Sequence, residues 1–461
     1  MKYTVIGSGF SGLSTAAYLA KEGHEVHVFE KNESIGGRAR QFKAQGYTFD
    51  MGPSWYWMPD VFEKFFGDFN KKPEDYYELI KLDPGFQIIF PDAHTLELSS
   101  DWDEVLALFE KYEPGSSKNL NAFMEEAEFK YDFGINKLVY EPGMSLKEVC
   151  KPEIITNIFK LQMFSSYRKH VAKYFKNPFL IALLEFPVLF LGTAPAKTPA
   201  LYSLMTYSGI KQGTFYPMGG FGKVIDGMAE ICKELGVKFH LNADIKEINV
   251  ENKQVVSIKT NTESHKVDTL ICSADYHHID KELLPEHLSN YTEKYWDKRV
   301  LSPSCLIFYI GVNKKVAKLK HHNLFFDEDI DTHTEDIYTS KQWPNKPLFY
   351  ACCPSKTDPS VAPENKENIF FLIPIAPGME DTEEIREAYF SKIMKRFEGY
   401  CGQDVEKHIE YKRSYCINDF IEDYNSYKGN AYGLANTLSQ TANLKPKIVN
   451  KNIKNLFYTG Q

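Results

Sequence analysis

The chain has 461 residues, of which 43% are hydrophobic and 25% are charged, so it is a globular protein with a large core and not a disordered chain. The formal net charge of −8 argues against nucleic acid as a general partner. Eight scattered cysteines without a CxxC pair predict a reduced, cytosolic protein, and the absence of an HExxH motif predicts no metal site.

The first thirty residues predict a dinucleotide-binding unit. Lys2 to Ile6 is rich in β-formers, the glycine turn Gly7 to Gly12 has the GxGxxG spacing, and Leu13 to Glu22 has a helical pattern. Val26 to Phe29 predicts the next strand, which ends at the acidic residue Glu30. Strand, glycine turn, helix, strand and acid together make this fingerprint far more specific than the glycines alone.

Each residue of the fingerprint has a predicted role. Gly7 permits the tight turn, and Gly9 lets backbone N–H groups approach a pyrophosphate at the N-terminus of the helix. Gly12 allows close packing of the helix on the strand, and Glu30 accepts hydrogen bonds from a ribose. The alternative is a tight turn that binds no ligand.

The following segment indicates which dinucleotide binds. Ile35 to Arg40 contains paired glycines followed by Arg38, whose planar guanidinium suits a phosphate or a flavin edge. Gly46 to Ser54 follows, where an NAD enzyme normally continues with alternating helices and strands. This arrangement resembles the large flavoprotein group that includes amine oxidases and carotenoid desaturases, in which the Gly-Gly-Arg segment lies against FAD.

Residues 60 to 140 change from a short hairpin to helices. Asp60 to Phe66 predicts a short helix with Asp60 as its N-cap, and Phe86 to Phe90 pairs with Leu96 to Leu98 in a predicted hairpin. Trp102 to Phe109 has a helical apolar stripe, and Asn119 to Tyr140 predicts a second helix.

Residues 144 to 212 form an insert of a different character. The window 154–184 contains no Asp or Glu but has five cations, namely Lys160, Arg168, Lys169, Lys173 and Lys176. At helical spacing, the apolar side chains fall on a separate face made of Phe164, Tyr167, Val171 and Tyr174. This pattern predicts a basic amphipathic helix on an anionic membrane surface. The alternative is an ordinary helix whose apolar face packs into the core.

Phe179 to Leu191 is the most apolar run, and it is interrupted by Glu185 and Pro187. It is shorter than the roughly 20 residues of a membrane-spanning helix, so we expect peripheral membrane contact only. Together with the basic segment, this run is a candidate doorway for a lipid-soluble substrate.

The remaining chain predicts a return to the nucleotide fold and an inserted sheet. Phe215 to Gly220 is a strand and glycine turn, followed by the helix Lys223 to Leu235 and the strand Thr269 to Cys272. Residues 280 to 430 predict a sheet with helices packed on it. Leu456 to Gly460 predicts a last strand that returns to the nucleotide unit.

Taken as a whole, the sequence resembles the bacterial carotenoid desaturases of the phytoene desaturase type, with the strongest likeness to those of flavobacteria. The most specific matches are Gly52-Pro53-Ser54-Trp55-Tyr56-Trp57-Met58-Pro59, Gly192 with Pro195 and Thr198 to Tyr202, Tyr216-Pro217-Met218-Gly219-Gly220, Thr357 to Pro363, and Gly429-Asn430-Ala431-Tyr432-Gly433 with Gln440.

The resemblance implies an α/β fold with a Rossmann-like FAD-binding domain of the amine-oxidase type, an inserted α+β substrate domain and a helical, membrane-facing insert. We predict FAD-binding parts at 1–100, 213–279 and 431–461, the insert at 101–212 and the substrate domain at 280–430. The family continues beyond the last strand, so we expect the sequence to be truncated at its C-terminal end.

The resemblance also implies FAD as the cofactor, a C40 carotenoid as the substrate, and an enzyme at the inner membrane that passes electrons to a quinone or to oxygen. Carried over by position, the residues that contact FAD are Gly7, Gly9, Phe10, Ser11, Gly12, Glu30, Lys31, Gly37, Arg38, Pro53, Ile245, Ala274 and Gly460. The acid and base proposed to act on the polyene in the family correspond to Glu148 and Lys151. The alternative is that both are solvated helix residues.

Four functions are compatible with these features. The first is desaturation of phytoene stepwise towards lycopene. The second is another reaction of the same family, either desaturation of a hydroxylated or later carotenoid or carotenoid isomerisation. An amine oxidase is disfavoured by the basic insert and the specific motifs. A non-enzymatic isoprenoid carrier is disfavoured by the intact glycines, Glu30 and Arg38.

Overall fold

The computed structural model describes residues 1–141, 143–145, 152–163, 165–437, 440 and 444–460. Its helices are α1 Phe10–Lys21, α2 Pro59–Asp68, α3 Trp102–Tyr112, α4 Ser116–Phe133, α5 Pro152–Leu161, α6 Tyr167–Val171, α7 Pro178–Glu185, α8 Ser203–Thr206, α9 Gly222–Glu234, α10 Glu293–Asp297, α11 Ile330–Glu335, α12 Glu383–Cys401 and α13 Ile417–Tyr424.

The strands are β1 Lys2–Ile6, β2 Glu25–Phe29, β3 Gln41–Ala44, β4 Tyr47–Asp50, β5 Leu79–Lys81, β6 Phe86–Ile89, β7 Thr95–Leu98, β8 Phe215–Pro217, β9 Lys238–His240, β10 Glu247–Glu251, β11 Gln254–Lys259, β12 Ser264–Lys266, β13 Thr269–Cys272, β14 Ser304–Val312, β15 His322–Phe325, β16 Phe349–Cys352, β17 Glu367–Ile375, β18 Ile409–Tyr415 and β19 Leu456–Tyr458.

The nucleotide fold is a five-stranded sheet in the order β19-β13-β1-β2-β9. All its pairs are parallel, and β1 lies between β2 and β13 with Val5 opposite Val28 and Ile271. The strands are short and apolar because helices cover the sheet, with α1 and α9 packed against each other through Leu13, Ala17 and Met228. The predicted return of the last strand to this sheet is therefore observed, and the α/β fold class is confirmed.

A second, seven-stranded sheet has the order β18-β14-β17-β16-β15-β6-β7. It is antiparallel except where β15 runs parallel to β6. The hairpin β6–β7 lies inside the range that we assigned to the first FAD-binding part, yet its strands extend the sheet built mainly by residues 304–415. Long-range pairing of this kind is not visible in local sequence patterns, and the predicted domain limits stay a prediction.

The insert differs from its prediction. Helix α6 spans only five residues, and its Tyr167 and Val171 side chains are fully buried in the central core. The Tyr167 hydroxyl donates a hydrogen bond to the Leu184 carbonyl, 2.7 Å away. Arg168 lies between Glu185 and Asp331, with N–O distances of 2.8 and 2.6 Å. The predicted membrane-bound amphipathic helix is therefore wrong for this segment, because the apolar face packs inside the protein.

The apolar run that follows is also largely internal. Helix α7 begins after Asn177, whose side-chain oxygen accepts hydrogen bonds from the Phe179 and Leu180 N–H groups. Leu180, Leu183 and Leu184 are fully buried because the helix crosses the core and not the surface. Within the ranges that the structure describes, no helix combines the length and apolarity needed to span a bilayer.

The start of helix α2 corrects a smaller prediction. The residue before the helix is Met58, whose φ of 57° places it in the left-handed region, and Pro59 is the first helical residue. Asp60 is inside the first turn and is not the N-cap. Its carboxylate accepts a hydrogen bond from the Tyr131 hydroxyl at 2.6 Å, which ties α2 to α4.

Candidate active site

One cavity of about 890 Å³ is lined by both sheets and by the helices between them. Part of its wall is the glycine cradle, which we define as Gly7, Gly9, Gly36 and Gly37. Another part is the apolar wall, which is built from large side chains and comprises Trp55, Trp57, Phe186, Leu189, Met205, Leu324, Phe326, Ile337, Tyr338, Leu348, Tyr350 and Leu372. A single space therefore adjoins a dinucleotide fingerprint and a long apolar surface.

The glycine cradle leaves little room for side chains except at Gly9, where a Cβ would come no closer than 3.9 Å to another atom, the Gly37 Cα. Gly7 has a φ of +96°, which favours glycine. A Cβ atom on Gly12 would lie 2.0 Å from the Gly7 carbonyl oxygen, and one on Gly37 would lie 3.0 Å from the Gly9 Cα. The two glycine turns consequently approach each other through bare backbone. The Gly7 and Gly36 N–H groups already donate to the Phe29 and Ser8 carbonyls, so a phosphate would meet the N–H groups at the start of α1.

The N-terminus of α1 suits an anion. Gly9 is its N-cap, no side chain caps the helix, and no acidic residue lies in its first turn. Phe10 and Ser11, at the start of the helix, line the cavity. Unsatisfied N–H groups and the helix dipole favour a negatively charged group at this position. The backbone of the cradle therefore fits the pyrophosphate of FAD.

Glu30 is buried beside the cradle and holds its loops together. One carboxylate oxygen accepts hydrogen bonds from the Ser8 N–H at 3.0 Å and the Ser8 hydroxyl at 2.6 Å. The other accepts bonds from the backbone and side-chain N–H groups of Asn32, both at 2.9 Å. These four hydrogen bonds use the roughly four lone-pair directions of the carboxylate, so a ribose hydroxyl would bond to Glu30 only by sharing or replacing one of them.

Two cations of the predicted set lie beside helix α13. The Lys31 ammonium donates to the Asn425 side-chain oxygen at 2.9 Å and to the Glu422 carbonyl. Arg38 donates to the Ser426 hydroxyl at 3.2 Å, and its guanidinium is 5.6 Å from the centre of the Tyr424 ring. Burial lowers the pKa of Arg38 from its usual value. These contacts fix both side chains at the cavity wall.

The structure brings nearly all predicted cofactor residues to this one cavity. Pro53, Ile245, Ala274 and Gly460 line it together with the residues above. Gly12 is the exception, because it does not line the cavity and instead packs against Gly7 behind the glycine cradle. Whether each residue contacts FAD stays a prediction. The proposed acid and base, Glu148 and Lys151, lie outside the described residues.

The apolar wall is an aromatic cluster. The Trp55 ring centre lies 5.4 Å from that of Trp57 and 5.1 Å from that of Phe186. Two members of the run that we predicted as a substrate doorway, Phe186 and Leu189, line the cavity here. A surface of this kind suits a long apolar ligand, because it offers few hydrogen-bonding groups.

A polar group that no sequence motif indicates is set into this wall. The Tyr350 hydroxyl hydrogen-bonds with the Ser54 hydroxyl at 3.1 Å and with His322 Nδ1 at 2.5 Å. Ser54 stands inside a motif that we had singled out, but His322 and Tyr350 lie on strands far along the chain. Two adjacent histidines at the start of a buried strand were the available signal.

His321, His322 and Cys352 form the one group of three metal-ligating side-chain types among the described residues. Both Nδ1 atoms already have partners, Thr357 for His321 and Tyr350 for His322. Burial raises the pKa of the Cys352 thiol well above its usual value. The Nδ1 atoms are therefore engaged in hydrogen bonds, whereas the Nε2 atoms of both histidines have no partner among the described residues.

Comparisons with known proteins agree on one family. The profile described as "Flavin containing amine oxidoreductase" matches residues 10–461. The chain is 40% identical to the carotenoid 3,4-desaturase of Haloarcula japonica over 99% of this chain and 92% of that protein. It is 28% identical to the zeta-carotene-forming phytoene desaturase of Myxococcus xanthus over 100% of this chain and 89% of that protein.

A solved structure shares the fold. The chain aligns with an oxidoreductase from Methanosarcina mazei with a TM-score of 0.62 and 18% sequence identity, covering 100% of this chain and 94% of that one. At this identity the likeness supports the architecture and says nothing about the substrate.

Proposed function

Because this chain belongs to the flavin-containing amine oxidoreductase family and, within it, to the carotenoid desaturases, we propose that it desaturates phytoene stepwise towards lycopene. The predicted family and the predicted cofactor are confirmed, and the protein is an FAD-dependent oxidoreductase acting on CH–CH groups. The choice of phytoene and the number of steps are our proposal.

The observation that supports this function is the continuity of the cavity. The glycine cradle and the apolar wall border the same space, so a polyene against Trp55 and Phe186 shares that space with a cofactor held at Gly9. Bound FAD supplies a hydride acceptor for an allylic C–H bond. The protein positions the chain of the substrate and excludes water from it.

A second candidate has a specific observation in its favour. The relative with 40% identity is named a carotenoid 3,4-desaturase, whereas the phytoene desaturase has 28% identity. Desaturation of a later or hydroxylated carotenoid is therefore the alternative. The same fold is also compatible with carotenoid isomerisation, which differs in leaving the substrate's oxidation state unchanged.

We propose that the protein works bound peripherally to the cytoplasmic face of the inner membrane and passes electrons to a quinone or to oxygen. The support is four exposed apolar side chains of the insert, namely Val139, Tyr140, Met144 and Phe159, of which Phe159 is 88% exposed. Large apolar side chains in water are favourable sites for contact with lipid. A carotenoid is lipid-soluble, so a carotenoid substrate would reach the protein from the bilayer.

Reconstitution tests the reaction. The protein is mixed with FAD and liposomes that contain phytoene, and the products are separated by chromatography with visible absorption. Lycopene formation with anaerobic bleaching of the flavin is expected. Conversion only of a hydroxylated or already unsaturated carotenoid would establish the alternative. A change of double-bond geometry without flavin reduction would establish an isomerase.

Liposome flotation tests the membrane contact. We expect Phe159→Asp to weaken binding to liposomes, because a charge replaces an exposed apolar ring. Leu241→Asp is the matched control, since Leu241 is also exposed, at 41%, but lies next to the nucleotide sheet. Equal binding of the two variants would place the membrane contact elsewhere.

A further inference from the structure

Strand pairing places Tyr350, His322 and Cys352 together. His322 on β15 is directly opposite Cys352 on β16. Tyr350 is two residues before Cys352, so both side chains point to the same face of the sheet. On that face the Tyr350 hydroxyl is 2.5 Å from His322 Nδ1, and Cys352 Sγ is 3.8 Å from the same nitrogen.

Tyr350 connects this cluster to the cavity. Tyr350, Ser54 and Trp55 line the large cavity, whereas His322 does not. The residue before Ser54 is Pro53, one of the residues predicted to contact FAD. The hydroxyl pair of Ser54 and Tyr350 is therefore set where the proposed cofactor segment continues into the apolar wall.

His322 is held neutral and unusually placed. It is fully buried, and the Trp55 ring stacks on it with a centroid distance of 3.9 Å and an angle of 13°. Burial lowers its pKa well below the usual range. Its Nε2 atom has no hydrogen-bond partner in the described part of the chain, although buried polar atoms are almost always paired.

A polar route continues beyond Ser54. Ser54, Asp50, His321 and Cys352 line a second cavity of about 10 Å³. That volume is roughly the size of one water molecule, and the lining groups provide several hydrogen-bonding partners for it. The cluster therefore extends from the apolar wall to a water-sized polar site inside the protein.

We propose that the Tyr350 hydroxyl accepts the proton that the substrate loses during desaturation, with His322 as a positioning residue that takes up the tyrosine's own proton. This inference rests on the proposed function. One allylic C–H bond gives its hydrogen and both electrons to FAD, and the neighbouring carbon loses a proton to the Tyr350 oxygen. The electrons of that second C–H bond form the new C=C bond, and the Tyr350 proton moves to His322 Nδ1.

A weak base is sufficient for this step. Loss of hydride next to a polyene leaves positive charge spread along the conjugated chain, and the adjacent C–H bond is then strongly acidic. Burial disfavours the imidazolium that forms on His322, but the polyene cation is so strong an acid that a phenol hydrogen-bonded to this imidazole accepts its proton without a carboxylate. The face of the Trp55 ring in the apolar wall stabilises the transient positive charge on the polyene.

The decisive variant is Tyr350→Phe, which removes only the hydroxyl. In anaerobic single-turnover experiments with phytoene liposomes, we expect flavin bleaching to slow by about 100-fold or more, with the bound FAD and the apparent KM nearly unchanged. His322→Gln is expected to slow the same step less. Tyr309→Phe is the matched control, because Tyr309 is a fully buried tyrosine of the same sheet that bonds to the Met51 carbonyl at 2.9 Å.

A measurement independent of turnover accompanies the kinetics. Proton NMR of 15N-histidine-labelled protein should show a strongly downfield proton from the short Tyr350–His322 hydrogen bond, absent in Tyr350→Phe and retained in Tyr309→Phe. Absence of that signal from the wild-type protein would refute the pairing.

The kinetic outcomes separate this proposal from the proposed function. If the flavin of Tyr350→Phe bleaches at the wild-type rate, Tyr350 is not the proton acceptor, and the proposed desaturase function is unaffected. Loss of the step in Glu148→Gln but not in Tyr350→Phe would move the acceptor to the insert. If no carotenoid bleaches the flavin of the wild-type protein, the proposed desaturase function is wrong. The proton-acceptor proposal, which rests on that function, is then wrong as well.

Discussion

The glycine cradle and the apolar wall border the same cavity but are built in opposite ways. In the cradle, backbone atoms form the surface, and a Cβ on Gly37 would lie 3.0 Å from the Gly9 Cα. Directly behind it, a Cβ on Gly12 would lie 2.0 Å from the Gly7 carbonyl oxygen. In the apolar wall, side chains such as Trp55 and Phe186 form the surface, with ring centres 5.1 Å apart. One region is specified by the absence of side chains and the other by their size.

This difference predicts how each region responds to change. Backbone contacts cannot relax, because moving them displaces the strand or helix to which they belong. Aromatic and aliphatic side chains adjust their rotamers, so a wall made of them tolerates substitution and accommodates related ligands. We expect the cradle to be fixed for one cofactor, while the wall decides which carotenoid is bound.

The largest effect is expected from Gly12→Ala. The added methyl group collides with the Gly7 carbonyl, so α1 must move away from β1, and we expect a loss of about 4 kcal/mol or more of unfolding free energy together with the bound FAD. Urea unfolding and the flavin content of the purified protein measure both.

Gly399→Ala is the matched control for this change. Gly399 also lies in a helix, and a Cβ there meets nothing within 4 Å, so alanine should leave stability unchanged or raise it by up to about 1 kcal/mol. Equal stability and equal flavin content of the two variants would show that the close packing of Gly12 against Gly7 does not restrict this position.

The cradle was predictable from sequence because its signals are local. Strand, glycine turn, helix and Glu30 fall within thirty residues, and each element was found close to its predicted limits. Helix α4 was predicted less well, since it ends at Phe133 and a π-helical turn follows over Gly134–Leu138. A change of hydrogen-bonding pattern within a continuous helical sequence leaves no clear local mark.

The wall was not predictable because its contacts join distant segments. Ser54 and Tyr350 are 296 residues apart, and their meeting depends on the register of β15, β16 and β17. The face of Tyr167 and Val171 shows the same limit, because one amphipathic pattern fits a membrane surface and a protein core equally well. Only the tertiary structure shows whether this face contacts a membrane or the protein core.

The second prediction concerns the buried carboxylate of Glu185, the residue directly before Phe186 of the apolar wall. Glu185 is 3% exposed at the end of α7, and Arg168 is its partner. Arg168→Met leaves a buried carboxylate without its cation, so we expect a loss of about 3 kcal/mol in urea unfolding. Lys169→Met, at the exposed neighbouring position, should change the stability by less than about 0.5 kcal/mol.

A double-mutant cycle sharpens this result. Adding Glu185→Gln to Arg168→Met should recover part of the lost stability, because the unpaired charge is then removed. Additive losses would show that the ion pair contributes little and that shape alone holds α6 against α7.

Asp50 gives a pH-dependent prediction at the start of helix α9. Its carboxylate accepts hydrogen bonds from the Phe221 and Gly222 N–H groups at the start of α9, and burial raises its pKa to about 6. Since the folded state holds this proton more tightly than the unfolded state, the group's contribution to stability is present at low pH and is lost as the pH rises through about 6.

The wild-type protein compared with Asp50→Asn isolates this effect. Between pH 4 and 7.5, the unfolding free energy of the wild-type protein should fall relative to that of the variant by up to roughly 3 kcal/mol, which corresponds to the gap between the ordinary carboxyl pKa and about 6. A constant difference across this range would mean that Asp50 is solvated in solution.

The smallest effect is expected from Glu30→Gln, which keeps the shape of the side chain but removes its charge. The Ser8 and Asn32 donors then face a neutral acceptor, and a ribose hydroxyl would lose a charge-assisted hydrogen bond. We expect FAD to bind about 10-fold more weakly.

FMN, which lacks the adenosine half, should be affected much less in the same titration if Glu30 meets the ribose of that half. Glu33→Gln, at an exposed position three residues on, should leave both affinities unchanged. Equal weakening of FAD and FMN would show that Glu30 acts only by holding the loops of the cradle.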